Sequence, residues 1–175
     1  MNSAVRIQPP QTGDFHEFYK KYIDKVGSGD FLEKFSGQPQ ALRDLLSDLP
    51  EGEDSRLHEP FTWTLKQVVG HLIDGERVFS CRLLRIASGD TAPISGFDQN
   101  LYVSNLDYKT PSMVDLLAEF DLLRQANVLL LKRLQPESLD RVGMASDNPV
   151  TAKANLFILV GHVNYHLEII NRRLA

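Results

Sequence analysis

The chain has 175 residues, enough for one domain with a buried core, and its 42% hydrophobic and 24% charged residues are typical of globular proteins. Its net charge of −4, with acidic and basic residues interspersed, argues against a nucleic-acid-binding protein. A single cysteine excludes an intramolecular disulfide, and the lack of an apolar leader or of an apolar run near ~18 residues predicts a cytoplasmic protein with no membrane partner.

The first predicted elements are an irregular lead-in over residues 1–13, with two prolines and a glycine, and then a single domain over 14–175. Apolar residues recur at helical spacing over 15–26 and predict a short helix, which ends at the Gly-Ser-Gly that follows. A longer helix is predicted at about 30–49, where Pro39 indicates either a kink or two shorter pieces.

The second long helix has the clearest start. After a polar loop at 50–62, Thr64 and Gln67 have the spacing of a capping box, in which each side chain bonds a free amide of the first turn. Gly89 ends this helix. The connection that follows, over 89–111, is long for a compact domain, and we interpret it as a functional lid or an Ω-loop.

The last two long helices are predicted to begin near Pro111 and Thr151. Proline suits the first position of a helix, and Thr151 is a good cap for a helix that runs to about Arg173. A polar segment at 135–150, with a short extended excursion, separates the two. Four long helices without a convincing set of strands predict an all-α four-helix bundle with a short extra N-terminal helix.

Three histidines of the second and fourth long helices are predicted to lie at one edge of the bundle. A helix turns about 100° per residue, so His162 and His166 lie about 40° apart on one face. The apolar stripe averages roughly 110° from His162, and in the second helix it averages roughly 100° from His71. The two helices therefore hold their histidines at similar offsets from the core, and Gly75 would leave room above His71.

Such a set of imidazoles is suited to a metal ion. An i, i+4 histidine pair spans one coordination sphere, and a third histidine from a neighbouring helix leaves a position for water or substrate. The alternative is that the histidines are ordinary polar residues of amphipathic helices. His16 and His58, in the short helix and in a loop, are interpreted as structural or solvated.

Further polar residues are candidates for chemistry beside these histidines. Asp74 projects about 60° from His71 and would orient an imidazole or serve as a general base, although a surface carboxylate shows the same pattern. Arg82 would contact an anionic substrate or else form an exposed ion pair, and Asn155 would form a wall of the substrate pocket. Glu76 points toward the core side and is expected to pair with an arginine.

The segments that contain these residues resemble the DinB-like superfamily over about residues 30–173. The resemblance rests on a combination of short motifs: WTLKQ at 63–67, VGHLID at 69–74, ER at 76–77, GFDQ at 96–99, and GH at 161–162 with His166. It implies a four-helix bundle of up-down-down-up type, often a homodimer. It also implies a divalent metal (Zn, Ni, Fe or Mn) held by three histidines, which fall on His71, His162 and His166.

The resemblance further implies a small-molecule substrate. The reaction would be metal-dependent hydrolysis, or transfer with a low-molecular-weight thiol as cosubstrate. Related sequences often have one more histidine where this chain has Tyr165, but Tyr165 projects away from the pair, so we expect the triad to survive. Two other functions stay open: a metal-binding stress or interaction module without catalysis, which the lack of an obvious general base favours, and a purely structural bundle.

Overall fold

The computed structural model describes residues 7–174; residues 1–6, which belong to the predicted lead-in, and Ala175 lie outside the described residues. In chain order, the helices are α1 (Lys20–Ile23), α2 (Phe31–Leu46), α3 (Leu65–Ala87), α4 (Gln99–Asn105), α5 (Met113–Leu131) and α6 (Ala152–Leu174). A 3-10 turn at Glu17–Tyr19 precedes α1. Further 3-10 turns at Glu53–Ser55 and Pro136–Asp140 and a hairpin of β1 (Val142–Ala145) and β2 (Asn148–Thr151) lie between the helices. The predicted all-α four-helix bundle is confirmed, since α2, α3, α5 and α6 are the four long helices.

The long helices do not pack in the order of the chain. Helix α3 packs against α5 and α6, and α2 packs against the same two helices, so the consecutive helices α2 and α3 lie on a diagonal of the bundle. The α3–α6 contact is the most extensive of these. No helix of residues 7–174 is long and apolar enough to cross a membrane.

Helix α2 is continuous although Pro39 lies inside it. Proline cannot donate a hydrogen bond to the carbonyl four residues earlier, which here belongs to Phe35. Arg124 of α5 donates to that carbonyl, with Nη1 at 3.4 Å from the oxygen, and its Cζ lies 4.2 Å from the centroid of the Phe35 ring. The predicted alternative of two shorter helices is wrong because a side chain of α5 satisfies the group that proline leaves without a partner.

The core consists of two apolar clusters, and polar side chains are buried in the bundle as well. The Glu76 carboxylate accepts hydrogen bonds from Arg124 Nη2 at 2.8 Å and from Asn127 Nδ2 at 2.7 Å. Burial raises the pKa of Glu76 and lowers that of Arg124, and in each case the charge of the partner opposes the change. The prediction that Glu76 pairs with an arginine is confirmed, and the ion pair joins α3 to α5.

The connection over 89–111, which was interpreted as a functional lid or an Ω-loop, contains the short helix α4. The Asp98 carboxylate caps this helix by accepting hydrogen bonds from two first-turn amides, at 2.8 and 3.2 Å. Helix α5 begins later than predicted, since Pro111 lies before the cap and Ser112 Oγ accepts from a first-turn amide at 3.1 Å.

The extended excursion predicted within 135–150 is the β1–β2 hairpin, whose two-residue turn consists of Ser146 and Asp147 with φ of 52° and 62°. The hairpin leads directly into α6. Thr151 Oγ1 accepts from the Ala154 amide at 3.0 Å, as expected of a helix cap.

Candidate metal centre

The three predicted histidines lie together in the structure. His71 of α3 and His162 and His166 of α6 are 2%, 3% and 8% exposed. Each offers one ring nitrogen, and these three atoms all lie within 4.8 Å of one another. The Nε2 atoms of His71 and His162 are 2.9 Å apart, although the two residues are separated by 91 positions in the sequence. The α3–α6 contact therefore creates the cluster.

Burial keeps all three imidazoles neutral at pH 7. Desolvation lowers the pKa of His71 to about 4, that of His166 to about 3, and that of His162 well below its ordinary value. A neutral imidazole has one ring nitrogen with a free lone pair, which is the form that binds a metal. Nδ1 of His166 is buried and has no hydrogen-bond partner within residues 7–174. The site therefore offers three neutral imidazoles, one of which has a buried ring nitrogen without a hydrogen-bond partner. Such a set of nitrogen donors is suited to a divalent ion such as zinc, nickel or iron.

Aromatic rings surround the cluster. The centroid of the Trp63 ring lies 5.0 Å from that of His71, and the Phe79 centroid lies 5.5 Å from that of His162. Tyr22 of α1 packs edge-on against His162 at 5.4 Å. The predicted short N-terminal helix is thus a 3-10 turn followed by α1, and it covers the histidines on the α6 side.

Close packing around His162 requires a glycine at position 75. A Cβ atom added to Gly75 would lie 2.9 Å from Cε1 of His162, closer than such atoms approach. The room that Gly75 was predicted to leave above His71 is present, and the ring of His162 from the other helix occupies it. Sequence alone shows a missing side chain but does not show which neighbour fills the space.

On α3 and on α6, the residue before the first histidine is a glycine against which part of a tyrosine residue packs closely. A Cβ on Gly70, which precedes His71, would overlap the ring of Tyr108. A Cβ on Gly161, which precedes His162, would overlap the backbone carbonyl of Tyr22. The similar motifs VGH at 69–71 and 160–162 therefore have the same packing role on two helices.

Asp74, the predicted general base, lies outside the nitrogen cluster. Its carboxylate is 6% exposed and accepts a hydrogen bond from the hydroxyl of Tyr108 at 2.6 Å. Burial raises the pKa of Asp74, and the bond from Tyr108 opposes that change. Asp74 is therefore a buried carboxylate with one fixed partner, and not the surface carboxylate that the sequence pattern also allowed.

A cavity of about 640 Å³ opens beside His162. Its walls include the aromatic rings of Tyr22, Phe79 and Phe97, and the guanidinium of Arg82. The sequence did not indicate this cavity, since Tyr22 and Phe79 have the pattern of ordinary core positions on their own helices and Phe97 lies in the loop before α4. His16, interpreted as structural or solvated, also lines this cavity, and its Nδ1 accepts from the Phe18 amide at 3.2 Å.

The two predicted substrate-binding residues differ in position. Arg82 lines the cavity and is 3% exposed, so the alternative of an exposed ion pair is wrong. Asn155 is 1% exposed and does not line the cavity; its Nδ2 donates to the carbonyl of Phe79 at 2.7 Å. Asn155 thereby joins α6 to α3 behind a residue of the cavity wall.

The sequence matches a known protein family and is similar to proteins of other organisms. A model of the DinB superfamily matches residues 34–170. A protein of Oceanobacillus iheyensis is 22% identical over 146 residues, which cover 83% of this chain and 84% of the relative. A protein of Halalkalibacterium halodurans is 21% identical over 145 residues, with 82% and 84% covered. Both are named "putative metal-dependent hydrolase".

A solved structure has a similar fold. It is that of YfiT from Bacillus subtilis, described as "a probable metal-dependent hydrolase with an unusual four-helix bundle topology". The TM-score is 0.73 at 20% sequence identity, and the match covers 95% of this chain and 93% of YfiT. The two proteins share the arrangement of helices that brings the three histidines of this chain together.

Proposed function

The chain belongs to the DinB superfamily, and on that premise we propose that it is a metal-dependent hydrolase whose divalent ion is held by His71, His162 and His166. The observation on which the proposal depends is the convergence of three buried imidazole nitrogens within 4.8 Å. The names of the relatives support hydrolysis as the reaction class. Zinc, nickel, iron and manganese are the candidate ions.

The residues of the site have separate roles in this proposal. The three imidazoles bind and orient the ion, which when bound supplies Lewis-acid activation of a water molecule or a substrate carbonyl. Trp63, Phe79 and Tyr22 pack on the imidazoles and exclude bulk water from them. The cavity beside His162 admits the substrate.

We assign Asp74 the role of general base. Burial raises the pKa of its carboxyl, and the hydrogen bond from the Tyr108 hydroxyl orients it. The Asp74→Asn variant keeps the hydrogen-bond acceptor for Tyr108 and removes the basic oxygen. We expect kcat to fall at unchanged metal content; equal kcat in the variant and the wild type would remove Asp74 from the reaction.

Metal content tests the site directly. Protein purified without a histidine tag is incubated separately with Zn, Ni, Mn and Fe, desalted and measured for bound metal. We expect about one ion per chain in the wild type and in the matched control His58→Gln, and loss of the ion in His162→Ala. A wild type without metal, or equal metal in His162→Ala, contradicts the proposal.

Turnover tests the reaction class. A panel of ester and amide substrates is assayed with and without a chelator, and we expect hydrolysis that the chelator and the His71→Ala substitution both abolish. The cavity of about 640 Å³ favours a second candidate, because it has room for a thiol cosubstrate beside an acceptor. Turnover that requires an added low-molecular-weight thiol would identify a thiol transferase, and bound metal without turnover would identify a non-catalytic metal-binding module.

A further inference from the structure

Among the residues that the structure describes, Arg82 is a buried cation without an acidic partner. Its side chain comes from α3, three turns after His71, and is 3% exposed. Within residues 7–174 no carboxylate oxygen lies within 4.0 Å of its guanidinium, whereas the buried Arg124 is paired with Glu76 at 2.8 Å. An unpaired charge in a protein interior is costly, so a partner for Arg82 is expected from outside the described chain.

The hydrogen bonds of Arg82 leave donors free. A guanidinium has five N–H groups. Nη2 donates to Ser146 Oγ at 2.9 Å and to the Ser95 carbonyl at 3.3 Å, and Nη1 has only a long contact of 3.5 Å with the Tyr19 hydroxyl. Nε is buried and has no partner within the described residues. The neutral contacts therefore fix the direction of the side chain without neutralising its charge.

The other walls of the cavity are suited to an apolar body. The Arg82 Cζ atom lies 5.6 Å from the Phe79 centroid and 6.0 Å from the Phe97 centroid. The Phe79 ring also packs against His162, at 5.5 Å between centroids, so one aromatic ring separates the guanidinium from the histidine cluster. The acidic wall residue Asp98 is exposed, and its carboxylate accepts hydrogen bonds from first-turn amides of α4, which orient it at the start of that helix.

From this arrangement we infer that the cavity binds a small molecule whose carboxylate or phosphate group is held by Arg82 and whose apolar body lies against Phe79 and Phe97. A planar guanidinium binds either anion through paired charge-assisted hydrogen bonds. The reacting bond of such a substrate would lie at the His162 end. That last placement rests on the proposed function, whereas the anion site does not.

Binding of matched probes tests the inference. The probes are 3-phenylpropionate, phenyl phosphate and the neutral 3-phenylpropanamide, titrated by NMR into metal-free and zinc-loaded protein. We expect at least one of the two anions to bind tenfold or more tightly than the amide in the metal-free protein, and to shift the Nε–H signal of Arg82. Comparison of 3-phenylpropionate with phenyl phosphate shows whether the site prefers a carboxylate or a phosphate group.

Variants test whether the guanidinium of Arg82 itself causes the preference for anions. Arg82→Met is expected to remove that preference, Arg82→Lys to retain part of it, and Arg85→Met, which alters a cation paired with Asp90, to leave it unchanged. Melting curves establish that each variant is folded. Equal binding of anion and amide, no saturable binding of any probe, or an anion preference that persists in Arg82→Met overturns the inference. A preference present only with zinc, and kept in Arg82→Met, overturns it while supporting the metal proposal.

Discussion

The position of the His162 ring depends on a residue of another helix that has no side chain. Because Gly75 has no side chain, α3 and α6 lie close together: a Cβ atom added to Gly75 would be 2.9 Å from the His162 imidazole. The ligand geometry is thus controlled by a residue that itself binds nothing. Residues that orient metal-binding histidines usually change affinity when they are replaced.

We expect Gly75→Ala to weaken metal binding by about 10- to 100-fold, the range seen when supporting residues of a metal site are replaced. The added methyl group displaces His162 from the position where the three nitrogens converge. The affinity for zinc is measured by competition with a chromophoric chelator. Gly37→Ala is the matched control, because an added Cβ there meets nothing within 4 Å and alanine favours the helix. Equal affinity in both variants would contradict this role of Gly75.

The metal-free protein is expected to lose stability as the pH falls from about 6.5 toward 4. Unfolded histidines bind a proton near 6.5, while burial holds the pKa of His71 at about 4 and that of His166 at about 3 in the folded state. Between these values the unfolded chain binds more protons, so the free energy of unfolding decreases as the pH falls, by up to about 1.4 kcal/mol per pH unit and histidine. Above pH 7.5 this dependence should vanish.

Urea unfolding in the presence of a chelator, repeated from pH 8 to 4, measures the effect. The slope of the free energy of unfolding against pH should be smaller in His71→Gln than in the wild type. It should be unchanged in His58→Gln, whose ring lies outside the histidine cluster. A wild-type slope that His71→Gln leaves unaltered would be inconsistent with buried neutral histidines.

Single residues show where sequence reasoning succeeded and failed. The histidines were predicted because helical geometry fixes their direction relative to their own apolar stripe. The burial of Arg82 was not predictable in this way, since Ser95 and Ser146, which contact it, come from a loop and a hairpin turn. The space at Gly75 was predicted, but the neighbour that fills it was not, because that neighbour is on another helix.

At the scale of helices, the buried pair of Glu76 and Arg124 links three elements. Arg124 of α5 bonds Glu76 of α3 and the carbonyl of Phe35 that Pro39 of α2 leaves free. The α2 helix thus remains continuous through a contact that no local pattern reveals. Helix α4 was missed because it has seven residues and buries only Val103, so it has no apolar stripe.

We expect Arg124→Met to reduce the free energy of unfolding by about 3–5 kcal/mol, because it leaves the Glu76 carboxylate buried without a counter-charge. The matched control is Arg43→Met on α2, whose pair with Asp121 of α5 is partly exposed and should be worth less than about 1 kcal/mol. Urea denaturation at pH 7 gives both values. Adding Glu76→Gln to Arg124→Met should recover part of the loss, and a double variant no more stable than Arg124→Met would argue against the charge as the cause.

At the scale of the whole molecule, a bound ion would connect the second and the last of the long helices. At a free zinc concentration 100 times the dissociation constant, binding stabilises the fold by about 2.7 kcal/mol. For a protein of this size that corresponds to a rise in Tm of about 5–10 °C. His166→Ala should show no rise, and His58→Gln should show the full one. A Tm that zinc leaves unchanged in the wild type would indicate a purely structural bundle.

The diagonal placement of α2 and α3 has a consequence for folding. Consecutive long helices cannot form a local hairpin, so the apolar faces of α2 and α3 have no partner until α5 and α6 have been synthesised. His162 follows His71 by 91 positions in the sequence, and His166 lies one turn further along α6. A chain in which α6 has not yet been synthesised has only one of the three imidazoles, so metal uptake can occur only after α3 and α6 have packed against each other.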